Sequence, residues 1–332
     1  MATTDTTQIS NQYRTHFSKM LLDTVVEEVR LNEFAMEAEL PRRIGSKEIQ
    51  WFYRAPAVAS NVQALTEGTP ITVFASHSLS TVSKELVLLG EAAKITEKVD
   101  WTGFFNMLEM ESVAMGEDAA LDADTRSRNE IVAGVTTSGQ RRYAQGAPDW
   151  ATLAGRNVEQ AKFKSQDGLD AMTKLKKNRA KKINGCYPCL LEPEGMRDLR
   201  LDPRWVDAAK YGATRQLFKD EVGELDGVRY VEHTNPFVED GADAGSQGTS
   251  DDTGLQADKI YTAIILGKGA FGVPKLAGTN SPWKPQITLV TEPDHADPLG
   301  QTKIAGWIAY WATKLLREIF VCTIRHKTAW AG

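Results

Sequence analysis

The strongest constraint in the sequence is one long helical run covering residues 101–132. Trp101, Phe104, Phe105, Leu108, Met115, Ala119 and Leu121 recur along one side, and apolar content thins toward Arg126 and Arg128. Its 32 residues, at 1.5 Å each, predict a rod of about 48 Å. Propensity alone does not hold such a rod; it needs apolar cover along most of one side. The chain is therefore expected to build a domain along it, with Gly116 as a break or close crossing.

The segments before the rod predict extensions. Tyr13, Phe17, Leu21, Val25 and Val29 repeat at every fourth position, the pattern of a helix with one apolar side that ends before Pro41. Residues 48–53 and 71–76 have strand composition and are separated by 17 residues. So long a connection is unusual inside a compact domain and fits a two-stranded arm reaching toward a neighbour. Residues 82–99 read as helical.

Beyond the rod, Lys174, Lys176, Lys177, Arg179, Lys181 and Lys182 form the one dense basic cluster. It reads first as the wet, positive end of a helix, favoured by the helix dipole, and second as a contact for an acidic neighbour or DNA. Residues 239–258 carry Glu239, Asp240, Asp243, Asp251, Asp252 and Asp258 with no basic residue, which predicts a surface loop. Gly267-Lys268-Gly269-Ala270-Phe271-Gly272 follows a strand and spells a dinucleotide fingerprint, but Pro274 and Gly278 leave no room for the helix such a site requires. A tight turn with a buried Phe271 is expected instead. Residues 306–311 and 319–324 alternate as two antiparallel strands.

Cys186, Cys189 and Cys322 are too few for a disulfide framework and suit a reducing compartment. Cys186 and Cys189 have CxxC spacing without a second pair, so buried structural thiols are expected, with no metal and no cofactor. The net charge of −5 does not advertise nucleic-acid binding. No apolar stretch long enough for a membrane span occurs, and the opening MATTDTTQISNQ lacks the marks of a signal peptide.

Five segments, in order over about 250 residues, resemble the major capsid proteins of tailed bacteriophages, in particular the family typified by N-four-like podovirus capsids. They are LTEGTPI (65–71), NGCYPCLLEPEGMRDLRLDPRWVDAAKYG (184–212), LFKDEVGELDGVRYVEH (217–233), YTAIILGKGAFGVPKL (261–276) and DPLGQTKIAGWIAYWATKLL (297–316). The resemblance implies an α+β fold of the tailed-phage and herpesvirus shell type. Its N-terminal arm would cover residues 1–45 and its extended E-loop 46–82. A P-domain on the spine helix would comprise 83–165 with 285–332, and an A-domain 166–284.

The implied function is a non-enzymatic shell subunit, present in pentamers and hexamers and enclosing double-stranded DNA without reading its sequence. A portal protein would occupy one vertex; the need for scaffold or decoration proteins stays open. The implied location is the virion, after assembly in the bacterial host cytoplasm. Tyr13, Phe17, Leu21, Trp51, Phe52 and Tyr53 are the candidate intersubunit contacts, since aromatic side chains bury much area. Each of them could instead pack within its own subunit. The alternatives are a head-to-tail adaptor or other virion protein, and an enzyme using Cys186 or Cys189 with His233 as base.

Overall fold

A computed structural model of the chain describes residues 31–38, 48–54, 67–68, 79–102, 107–206, 221–240, 259–275, 286–290, 298–299 and 301–328. The first elements are β1 (Met36–Ala38), β2 (Glu48–Arg54), β3 (Leu79–Glu85), β4 (Val87–Thr96), α1 (Glu97–Thr102) and α2 (Met107–Gly134). Next come β5 (Arg141–Tyr143), α3 (Trp150–Gly155), α4 (Val158–Ala161), α5 (Ser165–Lys177), β6 (Tyr187–Leu191) and α6 (Pro193–Arg200). The remaining strands are β7 (Glu221–Leu225), β8 (Val228–Glu232), β9 (Phe237–Asp240), β10 (Lys259–Leu266), β11 (Phe271–Pro274), β12 (Gln286–Val290), β13 (Thr302–Trp311), β14 (Lys314–Leu315) and β15 (Val321–His326).

The larger core surrounds a sheet of order β5-β15-β10-β6-β8-β7, with β9 also paired to β10. Every residue of β6 and β15 is buried, as are the last seven of β10. Unbroken burial means both sheet faces are covered, which is why β6 and β10 read as largely apolar runs, whereas β15, expected to alternate, is buried on both faces with its Thr323, Arg325 and His326 enclosed. Met172 and Leu175 of α5, Met196 and Leu199 of α6, and Ile131 and Val132 near the end of α2 join this core. The β7–β8 connection at Asp226-Gly227 has positive φ at both residues (56° and 85°), the geometry expected of an Asp-Gly hairpin turn.

The rod is present as α2, 28 residues long and about 42 Å at the helical rise. Its first half has a separate core: Met115, Ala119 and Ala120 meet Ala305, Trp307 and Ala309 of β13. Small alanines on both sides allow close approach of helix and sheet. The sheet has the order β12-β13-β4.

Several expectations are corrected. Residues 82–99 are mostly strand: β3 and β4 replace the expected helix, which survives only as α1. Their Glu, Lys, Leu and Ala favour helix locally, yet β13 gives β4 a ladder from Thr302↔Thr96 to Trp311↔Val87. That long-range pairing overrides propensity. The two late strands exist but do not pair with each other, since β13 and β15 belong to different sheets. The helix expected up to Pro41 has already given way to a 3-10 turn at Leu31–Phe34 and to β1, which pairs with β11. Glu239 is not in a surface loop: it is fully buried in β9. Residues 241–258 lie outside the described residues, as do Tyr13, Phe17, Leu21 and the expected strand at 71–76.

Candidate assembly surfaces

The described part of the arm is the hairpin β2–β3, paired from Glu48↔Glu85 to Arg54↔Leu79. A two-stranded ribbon is marginal alone and needs an anchor. Here the anchor is the side facing the body, where Ile49 and Trp51 pack with Ala312 and Leu316. Strand alternation sends neighbouring side chains to opposite faces. Trp51 is accordingly 1% exposed and serves its own subunit, whereas Phe52 is 58% exposed. Tyr53 is half-buried, with the Arg317 guanidinium 4.3 Å from its ring centre. Of these three aromatics, Phe52 is therefore the one presented outward.

A second apolar surface, not singled out in the sequence, lies on the sheet face turned away from α2. Ile304, Ile308 and Tyr310 of β13 are exposed, alternating with the buried Ala305, Trp307, Ala309 and Trp311. Across the ladder Tyr310 stands opposite the exposed Leu88, and Ile308 opposite Gly90. The alternation of aromatic and aliphatic residues in GWIAYW was the legible signal. Its meaning depended on knowing which face α2 covers.

The basic cluster ends α5 and continues into the next loop. Lys176, Lys177, Arg179, Lys181 and Lys182 are exposed, and Lys174 is half-buried. Lys182 Nζ lies 6.0 Å from the centre of the Tyr187 ring. Sequence reading missed Lys268, which the fold brings to the same place: its backbone N–H donates to the Lys181 carbonyl at 2.9 Å.

Buried polar links tie distant segments of the chain together. Asp124 of α2 meets His233 Nε2 at 2.7 Å and accepts from Asn235 Nδ2 at 3.1 Å. Arg128 donates to the Asn235 and Pro236 carbonyls at 3.1 and 2.7 Å. Glu239 accepts a bidentate pair from Arg325, including Nη2 at 2.7 Å, and a bond from Trp150 Nε1 at 2.8 Å. Such contacts satisfy groups that would otherwise be unpaired in the core.

Cys186, Cys189 and Cys322 are all buried. Burial, reinforced by Glu192 and Cys322, holds the Cys189 thiol well above its ordinary value, and burial pushes Cys322 up to about 12. Neutral thiols are poor nucleophiles. His233, the base the enzyme alternative needed, has its Nε2 engaged by Asp124. At the glycine-rich turn, Gly269 has φ +73° and Phe271 is buried. The turn leads straight into strand β11, so no helix N-terminus opens there. No described helix is long and apolar enough to cross a membrane.

A model of the phage capsid protein family matches residues 147–296. No curated protein sequence matches the chain. Among solved structures, the capsid of Ralstonia phage GP4 is similar with a TM-score of 0.64 at 12% identity, over 90% of this chain and 88% of that one. The capsid of cyanophage Pam1 gives 0.62 at 13% identity, over 93% of both chains. The capsid of cyanophage P-SCSP1u gives 0.60 at 15% identity, over 90% and 87%. The α+β fold is thus that of known phage capsid subunits.

Proposed function

We infer that this chain is a major capsid protein, a structural subunit that assembles with copies of itself into a viral shell. The observation that carries the reading is likeness to phage capsid subunits over nearly the whole chain. The surfaces support it physically. Phe52 on an anchored hairpin and Ile304, Ile308 and Tyr310 on an open sheet face are apolar groups that a shell neighbour would cover.

The finer reading follows the resemblance. The β2–β3 hairpin would be the E-loop, α2 the spine helix of the P-domain, residues 166–284 the A-domain and residues 1–45 the arm. The seven-stranded sheet takes β5 and β15 from the proposed P-domain and β6 to β10 from the proposed A-domain. That shared sheet supports a stiff joint between the two. Assignment to the N-four-like podovirus capsids rests on the five quoted segments. Assembly in the host cytoplasm, enclosure of double-stranded DNA, a portal at one vertex, and scaffold or decoration proteins belong to the same proposal.

The test is to purify the expressed chain and image it by cryo-electron microscopy. Shells or capsomers are expected. Small rings or tubes alone would favour an adaptor, and a lasting monomer would overturn the reading.

A further inference from the structure

The basic cluster is larger than a helix end requires. The dipole of α5 favours cations in its last turn, which holds Lys174, Lys176 and Lys177. It does not account for Lys181, Lys182 and Lys268, which lie beyond the helix. The backbone holds these in place: Ala180 N–H donates to the Leu175 carbonyl at 3.0 Å, and Lys268 N–H to the Lys181 carbonyl at 2.9 Å. The Tyr187 hydroxyl braces the same turn from the core side, donating to the Ala180 carbonyl at 2.7 Å. Two segments distant in sequence thus present Lys176, Lys177, Lys181, Lys182 and Lys268 on one surface, all of them exposed.

Little within the chain neutralises this patch. Among the described residues, none of the five lysines makes a salt bridge. Lys182 Nζ lies near Gly227, but the adjoining Asp226 is already engaged by Arg204 at 2.8 Å. At physiological salt a charge is felt over about 8 Å, so an anion at this surface responds to the lysines more than to the overall charge of −5.

The composition of the patch favours a phosphate backbone over a protein partner. Protein interfaces are enriched in Arg and aromatic anchors and depleted in Lys. Here five of the six exposed cations are lysines, Arg179 being the other. The exposed apolar side chains Phe52, Ile304, Ile308 and Tyr310 belong to β2 and β13 instead. A lysine ammonium is a compact charge on a flexible stem, suited to neutralising phosphates without the fixed geometry that reads bases.

We propose that this patch is a sequence-independent contact for the phosphate backbone of double-stranded DNA, and that it lines the inner wall of the shell. The placement on the inner wall rests on the capsid reading; the phosphate chemistry does not.

Binding is measured on the full-length chain before shells form, using a fluorescent mixed-sequence duplex of about 20 base pairs between about 50 and about 200 mM salt. Wild type should lose affinity steeply as salt rises and should bind a duplex of unrelated sequence equally well. Changing the five lysines to Gln should weaken binding by about tenfold or more at the lowest salt. It should also reduce the slope of log affinity against log salt by about one for each lysine in contact. Changing the same five to Arg keeps the charge and should keep both affinity and slope. Matched melting temperatures of the three chains separate a lost contact from a lost fold. A Gln variant that binds with wild-type affinity and slope overturns the proposal, as does a wild type that does not bind at about 50 mM salt. A cryo-electron map of DNA-filled particles should place Lys181 and Lys268 on the inner surface. Finding them on the outer surface, or enclosed against acidic residues of a neighbouring copy, overturns it too. If wild type binds DNA but never assembles, the capsid reading and the inner-wall placement fall while the phosphate contact stands.

Discussion

The indole of Trp51 occupies the space that any side chain on Gly272 would need, while its Nε1 donates to the Met36 carbonyl at 3.2 Å. One aromatic thus joins the hairpin to β1 and β11. Gly272→Ala should displace it and destabilise the subunit by about 1–3 kcal/mol, the usual range for overpacking. Denaturant unfolding checks the loss, and particle yield should fall with it because the hairpin loses its seat.

Phe52 gives the opposite pattern. Phe52→Ser removes an exposed side chain, so unfolding should change by no more than about 0.5 kcal/mol. Assembly should nevertheless weaken, read as a higher subunit concentration needed to form particles. Unchanged assembly would remove Phe52 from the contact set.

The Arg325–Glu239 pair is enclosed on both sides, with side-chain exposures of 5% and 1%. Glu239→Ala should destabilise by about 3–5 kcal/mol, because Arg325 keeps a buried charge with no counter-charge. Replacing Arg325 and Glu239 together with apolar residues should recover much of this. Urea midpoints of the three chains decide the point.

His326 supplies a pH dependence. Burial lowers its basicity, but the Glu192 carboxylate at 3.3 Å, the Lys327 carbonyl and Asp167 outweigh burial and raise its pKa above the ordinary value. A raised histidine pKa stabilises fully below the unfolded value, about 6.5, and that contribution disappears as pH rises through the folded pKa. The melting temperature should therefore fall on going from about pH 6 to alkaline pH. His326→Gln should flatten that slope.

Thiol labelling tests the cysteines. Cys186, Cys189 and Cys322 are buried, and the thiols of Cys189 and Cys322 are held neutral at physiological pH. Native protein should resist alkylation at all three positions, whereas unfolded protein should label at all three, as read by intact mass. Rapid native labelling at Cys189 would contradict the described core.

Much of this architecture was legible where local pattern and tertiary environment agree. The β6 and β10 runs, the Asp226-Gly227 turn, the turn before Phe271 and most of α2 were each readable from a few neighbouring residues. Trp51 and Phe52 were readable as contact-forming aromatics but not as inward and outward members of a pair. That distinction depends on Ala312 and Leu316 arriving from the far end of the chain.

The sequence by itself determined the tight turn before Phe271, the apolar runs of β6 and β10, and that a long helix must be covered along one side. These follow from backbone sterics and hydrophobic periodicity acting over a few residues. Only the tertiary structure decided that residues 87–96 are strand and that Glu239 is an enclosed partner of Arg325. It also brought Lys268 to the basic cluster and left Ile304, Ile308 and Tyr310 uncovered. Each of these outcomes depends on a partner distant in sequence, and pairing energy between distant segments outweighs the fraction of a kcal/mol that local propensity supplies per residue.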